Sequence, residues 1–281
     1  MASILEFFPD LDPRNITACI VSLRRVIVST LEISMKFPYR HGSIESSNEY
    51  RILTDVINNY SQRKKTCSIV TFNYDIGCDF ALSKSGLGIN YALERNKQKN
   101  EIKLLKLHGS INWLHHVDQN RSAIIPLYLD DYFKHFSLRI SSSELKTIRI
   151  PIGTQLCEGL GKLGSVNDGE PFIVPPSWNK MEHHRAIRNV WSRAADELSE
   201  AEIIHVVGYS LPETDGFFRL LYALGVTSNK LIREISVFDP NSLVQKKFGS
   251  LLGPGVRKRF EYHQVDMGGA MNLLLNKTKL S

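Results

Sequence analysis

Cysteine is scarce in this chain and never closely paired. The four cysteines, Cys19, Cys67, Cys78 and Cys157, form no C-x-x-C spacing in 281 residues. This speaks against a structural zinc module and against a secreted disulfide framework, and it points to a reducing cytoplasm. Long apolar runs are also missing, and Met1-Ala2-Ser3-Ile4-Leu5-Glu6 carries no basic stretch, so neither a signal peptide nor a membrane anchor is expected. No strong excess of one charge exists: 35 basic residues against 29 acidic ones leave +6. That balance tolerates anionic ligands but is too diffuse to indicate nucleic acid. The basic knots Arg63-Lys64-Lys65 and Arg257-Lys258-Arg259 read as solvated turn charge. Repeats and low-complexity segments are absent too. What is present is 42% hydrophobic and 23% charged residues, an ordinary globular composition long enough to bury about three quarters of its unfolded surface without a staple.

Helical and strand patterns alternate along the chain, which predicts an α/β fold with a parallel sheet. Asp12-Pro13 opens a helix whose inner face is read as Ile20, Leu23, Ile27 and Leu31. Ser46 and Glu49 form a capping box ahead of Tyr50, Leu53, Ile57 and Tyr60, and the Arg63-Lys64-Lys65 turn closes that helix. Short β-branched runs predict strands over 67–72, 102–107, 202–207 and 235–238. Trp191, Ala194, Ala195, Leu198 and Ala201 predict a helix within 182–201 that packs on the sheet, and a further helix is expected over 214–224.

Each predicted strand ends in polar residues. The tips are Asn73-Tyr74-Asp75, His108-Gly109-Ser110, Gly208-Tyr209-Ser210 and Asp239-Pro240-Asn241. In open parallel sheets ligands bind outside the carboxyl ends of the strands, where loop amides and helix amino termini converge. This composition suits sugar hydroxyls, phosphate and one proton transfer, since a histidine titrates ordinarily near about 6.5 and accepts a proton at neutral pH. Every tip also has a plainer explanation. Asn73 and Asp75 fit helix capping, His108 a turn, Gly208 and Ser210 a strand-to-helix connection, and Asp239 with Asn241 an ordinary turn and helix start. The adjacent pairs His115-His116 and His183-His184 lack the i, i+4 spacing of zinc ligands, so no metal is expected.

Taken together, Thr71-Phe72-Asn73-Tyr74-Asp75, Lys106-Leu107-His108-Gly109-Ser110, Val174-Pro175-Pro176 with Lys180, the helix around Trp191, and Val207-Gly208-Tyr209-Ser210-Leu211-Pro212 resemble the Sir2-like family of bacterial antiphage defence. The resemblance spans roughly residues 40 to 245. It implies a Rossmann-like, NAD-binding single domain over 1–281 whose defence branch hydrolyses NAD to nicotinamide and ADP-ribose. Asn73 and His108 would be the catalytic pair, with Asp75 beside a developing oxocarbenium ion. Thr71, Phe72, Gly208, Tyr209, Ser210, Asp239 and Asn241 would bind the nucleotide, and an effector protein or a second copy would be the partner. Departures from the family pattern are equally legible. No Gly-Ala-Gly loop occurs within residues 1–40, which leaves open a shortened chain, a natural variant, or an inert nucleotide-binding subunit. The four-cysteine zinc lobe is missing, and an inserted helical and loop cap over about 114–170, including Ser141-Ser142-Ser143 and 161–169, is expected in its place.

Overall fold

The computed structural model describes residues 12–94, 101–118, 121–135, 146–158, 170–174, 186–212 and 231–280. Pro175-Pro176, Lys180, His183-His184, the loop segments 141–143 and 161–169, and the helix expected over 214–224 lie outside the described residues. The chain divides into two compact units, Met1–Ser47 with Ile69–Val190, and Asn48–Ser68 with Trp191–Ser281.

The first unit opens on helix Pro13–Ser34. Asp12 caps it by accepting from the Arg14 amide at 2.8 Å, and Pro13 occupies the first turn, where a missing N–H costs nothing. Its inner face is rotated from the expected one. Val28 is fully buried with Ile27 and Leu31 packed beside it, whereas Leu23 is 48% exposed. Leu23 and Val28 lie about 140° apart on a helix, so both cannot face one core. Glu32, one turn beyond Val28, is also buried, and its carboxylate accepts from the amides of Gly153 at 2.7 Å and Thr154 at 3.0 Å at the start of helix Ile152–Cys157. A charge on the inner face is thus offset by a helix amino terminus.

Strands β1 (Phe37–Arg40) and β2 (Ser43–Ile44) form a hairpin through His41-Gly42, both at positive φ as a two-residue primed turn requires. Next come β3 (Ser68–Thr71), helix Gly77–Lys84, β4 (Gly88–Asn90) and β5 (Glu101–Lys106), with sheet order β3-β5-β4 and β4 parallel to β5. From β5 the chain turns through Leu107-His108 directly into β6 (Gly109–Asp118), which pairs antiparallel with β7 (Arg121–Pro126) and β9 (Glu170–Ile173). Between them, β8 (Thr147–Ile148) pairs with β1. The segment expected as inserted helix and loop therefore carries helices Leu129–His135 and Ile152–Cys157, and also a hairpin.

The second unit has the α/β architecture with parallel strands that the alternation predicts. Strands β10 (Ile203–Val207), β11 (Glu234–Phe238) and β12 (Phe260–His263) are parallel, in sequential order. Side chains alternate between two covered faces. Ile204, Val206, Ile235, Val237, Phe260 and Tyr262 pack with Val244 and Phe248 of helix Leu243–Leu251, while Val207 and Phe238 pack against helices Asn48–Gln62 and Met267–Leu280. A sheet covered on both faces needs apolar residues at successive positions, which is why these strands lack clean alternation.

The second face is polar toward its amino-terminal half, where His205, Glu234, Ser236 and Glu261 share it and Tyr60 and Lys277 reach in from the helices; His263 lies on the same face at the carboxyl edge, stacked on Phe238. The His205 Nδ1 lies 3.7 Å from Glu234 Oε1, and Lys277 donates to that same oxygen at 2.5 Å. Burial lowers the pKa of His205 below its ordinary 6.5, Glu234 opposing and Lys277 reinforcing the shift. A depressed histidine binds its proton more readily when unfolded, so its stabilising contribution is complete above about pH 6.5 and is lost as pH falls below it. Glu234 is shifted down as well, its burial outweighed by Lys277 and Ser236, but its window opens only below 4.5. The melting temperature should therefore decline from pH 7 to pH 5, and His205→Gln should flatten that decline. An equal slope in both proteins would rule the assignment out.

Candidate functional site

Five candidate residues meet at one strand tip of the first unit. β3 ends at Thr71 and β5 at Lys106, and the Leu107 amide donates to the Thr71 carbonyl at 2.9 Å, so the two ends lie side by side. Beyond the strand, Thr71 Oγ1 accepts from the Asn73 amide at 3.1 Å and Asp75 Oδ1 accepts from the Gly77 amide at 2.8 Å. These short side-chain-to-backbone bonds turn the chain into helix Gly77–Lys84, and buried Ile76 pins the turn into the core. Asp75 thus bonds the first amide of the helix from one residue ahead of its N-cap, Ile76. Asn73 is exposed, and its side-chain amide makes no hydrogen bond to the described residues.

His108 is buried at the bend between β5 and β6. Its ring meets the edge of Phe72 at 5.1 Å between centroids and lies 6.1 Å from Tyr74. Its carbonyl accepts from the Val174 amide at 2.8 Å, and the Tyr74 hydroxyl donates to the Val174 carbonyl at 2.6 Å. The imidazole therefore lies against the aromatic residues at the end of β3, and its backbone is tied to Val174, which follows β9. Gly109 follows at φ +85, where a Cβ would overlap the Phe172 carbonyl oxygen. This glycine permits both the bend and the close approach of β9.

Beneath the tip lies a polar network that sequence reasoning missed. Lys106 is 1% exposed, and its ammonium donates to Asp79 Oδ2 at 2.8 Å and to the Asp75 carbonyl at 2.5 Å. The Tyr91 hydroxyl donates to Asp79 Oδ1 at 2.5 Å and accepts from Asn112 Nδ2 at 3.1 Å; the Asn112 amide also donates to the Leu127 carbonyl, and its oxygen accepts from Ser110. Burial, and then the Asp79 charge, pushes the Tyr91 hydroxyl well above the usual phenol range, which keeps it a donor. One signal was available: Lys103 and Lys106 sit an odd number of residues apart in one strand, so they point to opposite faces.

The other five candidates gather in the second unit, at the carboxyl edge of its sheet. Val207 pairs with Phe238, and the Gly208 amide donates to the Phe238 carbonyl at 2.9 Å, which sets Gly208 beside Asp239. Gly208 sits at φ +64 and is exposed, and among the described residues nothing lies within 4 Å of a Cβ placed on it. Tyr209 packs on the apolar core and Ser210 is exposed, its carbonyl accepting from Lys247 at 3.2 Å. Asp239 is buried and accepts from the Asn241 amide at 2.8 Å, and the Asn241 side chain in turn accepts from the amide of Leu243, the first residue of helix Leu243–Leu251, at 3.1 Å. Both turn residues thus do the local work their positions permitted. Among the described residues no cluster of three or more His, Cys, Asp and Glu could hold a metal ion, and no helix is long and apolar enough to cross a membrane.

No family model matches the sequence, and no curated protein matches it. Similar solved structures carry Sir2 names. A Sir2 homologue mutant in complex with ADP-ribose is 12% identical, with 96% of this chain and 78% of that chain covered and a TM-score of 0.48. A Sir2 complex with a peptide and NAD+ is 14% identical over 84% of this chain and 72% of that one, at a TM-score of 0.41. Sir2 bound to acetylated peptide is 13% identical over 85% and 73%, at 0.40. These values leave any functional reading to the residues themselves.

Proposed function

We propose that this chain is a Sir2-like protein that binds NAD and hydrolyses it to nicotinamide and ADP-ribose, in the manner of antiphage defence proteins. The observation that carries the reading is the tip itself: an exposed Asn73 amide with no hydrogen bond to the described residues at the end of β3, and His108 packed against Phe72 and near Tyr74 at the neighbouring end of β5. The resemblance of the surrounding motifs supports it.

In this reading the Asn73 amide holds the attacking water or the ribose hydroxyls, and His108 accepts the proton that the water loses on bonding to the ribose carbon. The electron pair of the broken ribosyl bond passes to the pyridinium nitrogen, so nicotinamide leaves neutral without a general acid. Asp75 has one carboxylate oxygen engaged by Gly77 and one left to face developing positive charge. Thr71 and Phe72 are assigned to nucleotide binding beside them. Gly208, Tyr209, Ser210, Asp239 and Asn241 are assigned to the adenosine half, the exposed Gly208 allowing close approach of a phosphate or ribose to the backbone.

Incubating the purified chain with NAD and resolving nicotinamide and ADP-ribose chromatographically tests the proposal. Release of both in equal amounts is expected. NAD binding by calorimetry without release would favour an inert nucleotide-binding subunit that serves an effector partner, a reading motivated by the missing glycine loop. Absence of both binding and release would refute NAD recognition.

A further inference from the structure

The buried Lys106–Asp79 pair raises the question of why an ion pair occupies a place that hydrophobic residues could fill. Replacing such a pair by apolar side chains of similar volume is often neutral or stabilising, so stability alone does not account for it. What an apolar pair could not supply is the second bond of the ammonium, to the Asp75 carbonyl at 2.5 Å. Lys106 stands two residues before His108 and Asp75 two residues after Asn73, so this bond links the two tips directly. A second tie runs the same way, from the Ile111 amide to the Tyr74 carbonyl at 3.1 Å. Asp79, on the first helical turn beyond Asp75, fixes the ammonium, and Tyr91 and Asn112 fix Asp79, with each polar group in the set partnered.

We infer that Lys106 is a positioning residue that, held by Asp79, locks the Asn73–Asp75 turn against the end of β5 and so sets the amide and the imidazole in register for NAD hydrolysis. The inference rests on the hydrolase reading for its consequence and on geometry alone for the lock. A displacement of about 1 Å in a reacting group costs on the order of 100-fold in rate.

The test is the double variant Lys106→Met with Asp79→Leu in the full chain. Its melting temperature should fall, because the Tyr91 hydroxyl loses its acceptor and the Asp75 carbonyl its donor, while below the onset of unfolding kcat for nicotinamide release falls about 100-fold with KM changed less than about threefold. Amide hydrogen exchange over residues 73–77 should accelerate at least about tenfold, with β5 unaffected. A purely structural pair would give parental kcat and parental exchange once the fold is restored, and that result overturns the inference. If the parent itself releases no nicotinamide, the hydrolase reading fails and exchange alone judges the lock. If the double variant does not fold, Tyr91→Phe takes its place, because it deletes only the hydroxyl that holds Asp79. A roughly tenfold drop in kcat with faster exchange over 73–77 is then expected, and parental values in both would defeat the proposal.

Discussion

His108→Ala should lower nicotinamide release by about 100- to 10,000-fold, the range over which a positioned general base contributes. The argument comes from location and surroundings. The ring lies at the end of β5 with Phe72 at 5.1 Å and Tyr74 at 6.1 Å, and its backbone is bonded to β9 through Val174, so neither backbone nor ring is free to adopt many orientations. A base fixed this way has already met the entropic cost of orientation. Alanine removes a buried side chain and leaves space beside Phe72, so some loss of stability accompanies the loss of rate. The melting temperature separates the two effects, and assays below the onset of unfolding report chemistry alone. A folded variant that keeps more than about a tenth of the parental rate would exclude His108 as the base. NAD binding should survive the substitution, because His108 is assigned to proton transfer and not to holding the adenosine half.

The largest effect on stability is expected one residue further on. Gly109 at φ +85 lies in the left-handed region, which costs a residue with a Cβ about 1–2 kcal/mol. Crowding adds to that strain. A Cβ here would overlap the Phe172 carbonyl oxygen and come within 3.0 Å of the Phe172 carbonyl carbon and ring, all part of a strand that pairs directly with Gly109 through Ile173. The backbone oxygen cannot swing aside as a flexible side chain would, so the β6–β9 register must give way. Gly109→Ala should therefore cost roughly 3–5 kcal/mol, among the largest effects of single substitutions. At about 2–4 °C per kcal/mol for chains of comparable size, that is a fall of roughly 6–20 °C in melting temperature. Gly208→Ala provides the contrast. It also has positive φ, +64, but none of the described residues lies within 4 Å of its Cβ position, so only the conformational cost of about 1–2 kcal/mol is expected. Equal destabilisation by the two substitutions would contradict the crowding argument.

Much of the frame was legible because it depends on local order. Asp12-Pro13 starts a helix wherever it stands before a periodic apolar run, and the β-branched runs at 68–71, 203–207 and 234–238 form strands close to the expected bounds. Asn73 and His108 stood out because polar residues directly after buried strands are costly unless turns, caps or ligands use them. Other features were hidden because they come from distant partners. Leu23 fits an apolar stripe by spacing, but Glu32 takes the inner face through the helix at 152–157, which lies more than a hundred residues away in the chain. The strand over Gly109–Asp118 reads poorly because Asn112, His115 and His116 interrupt its apolar pattern, and the acceptors that meet the Asn112 amide, the Tyr91 hydroxyl and the Leu127 carbonyl, are 15 or more residues away in sequence.

By itself the sequence determined the α/β class, the polar residues at the ends of the buried strands, and the turns that Thr71, Asp75, Asp239 and Asn241 close on their own backbone, since all of these are settled by neighbours within a few residues. Only the tertiary structure decided that β5 bends at His108 straight into an antiparallel sheet, that β9 pairs with Gly109 and ties down the His108 backbone, and that Lys106 is buried with its charge met by Asp79. Those arrangements depend on which distant groups come within hydrogen-bonding reach, and a buried ammonium is distinguished from a solvated one by its partner rather than by its place in a strand.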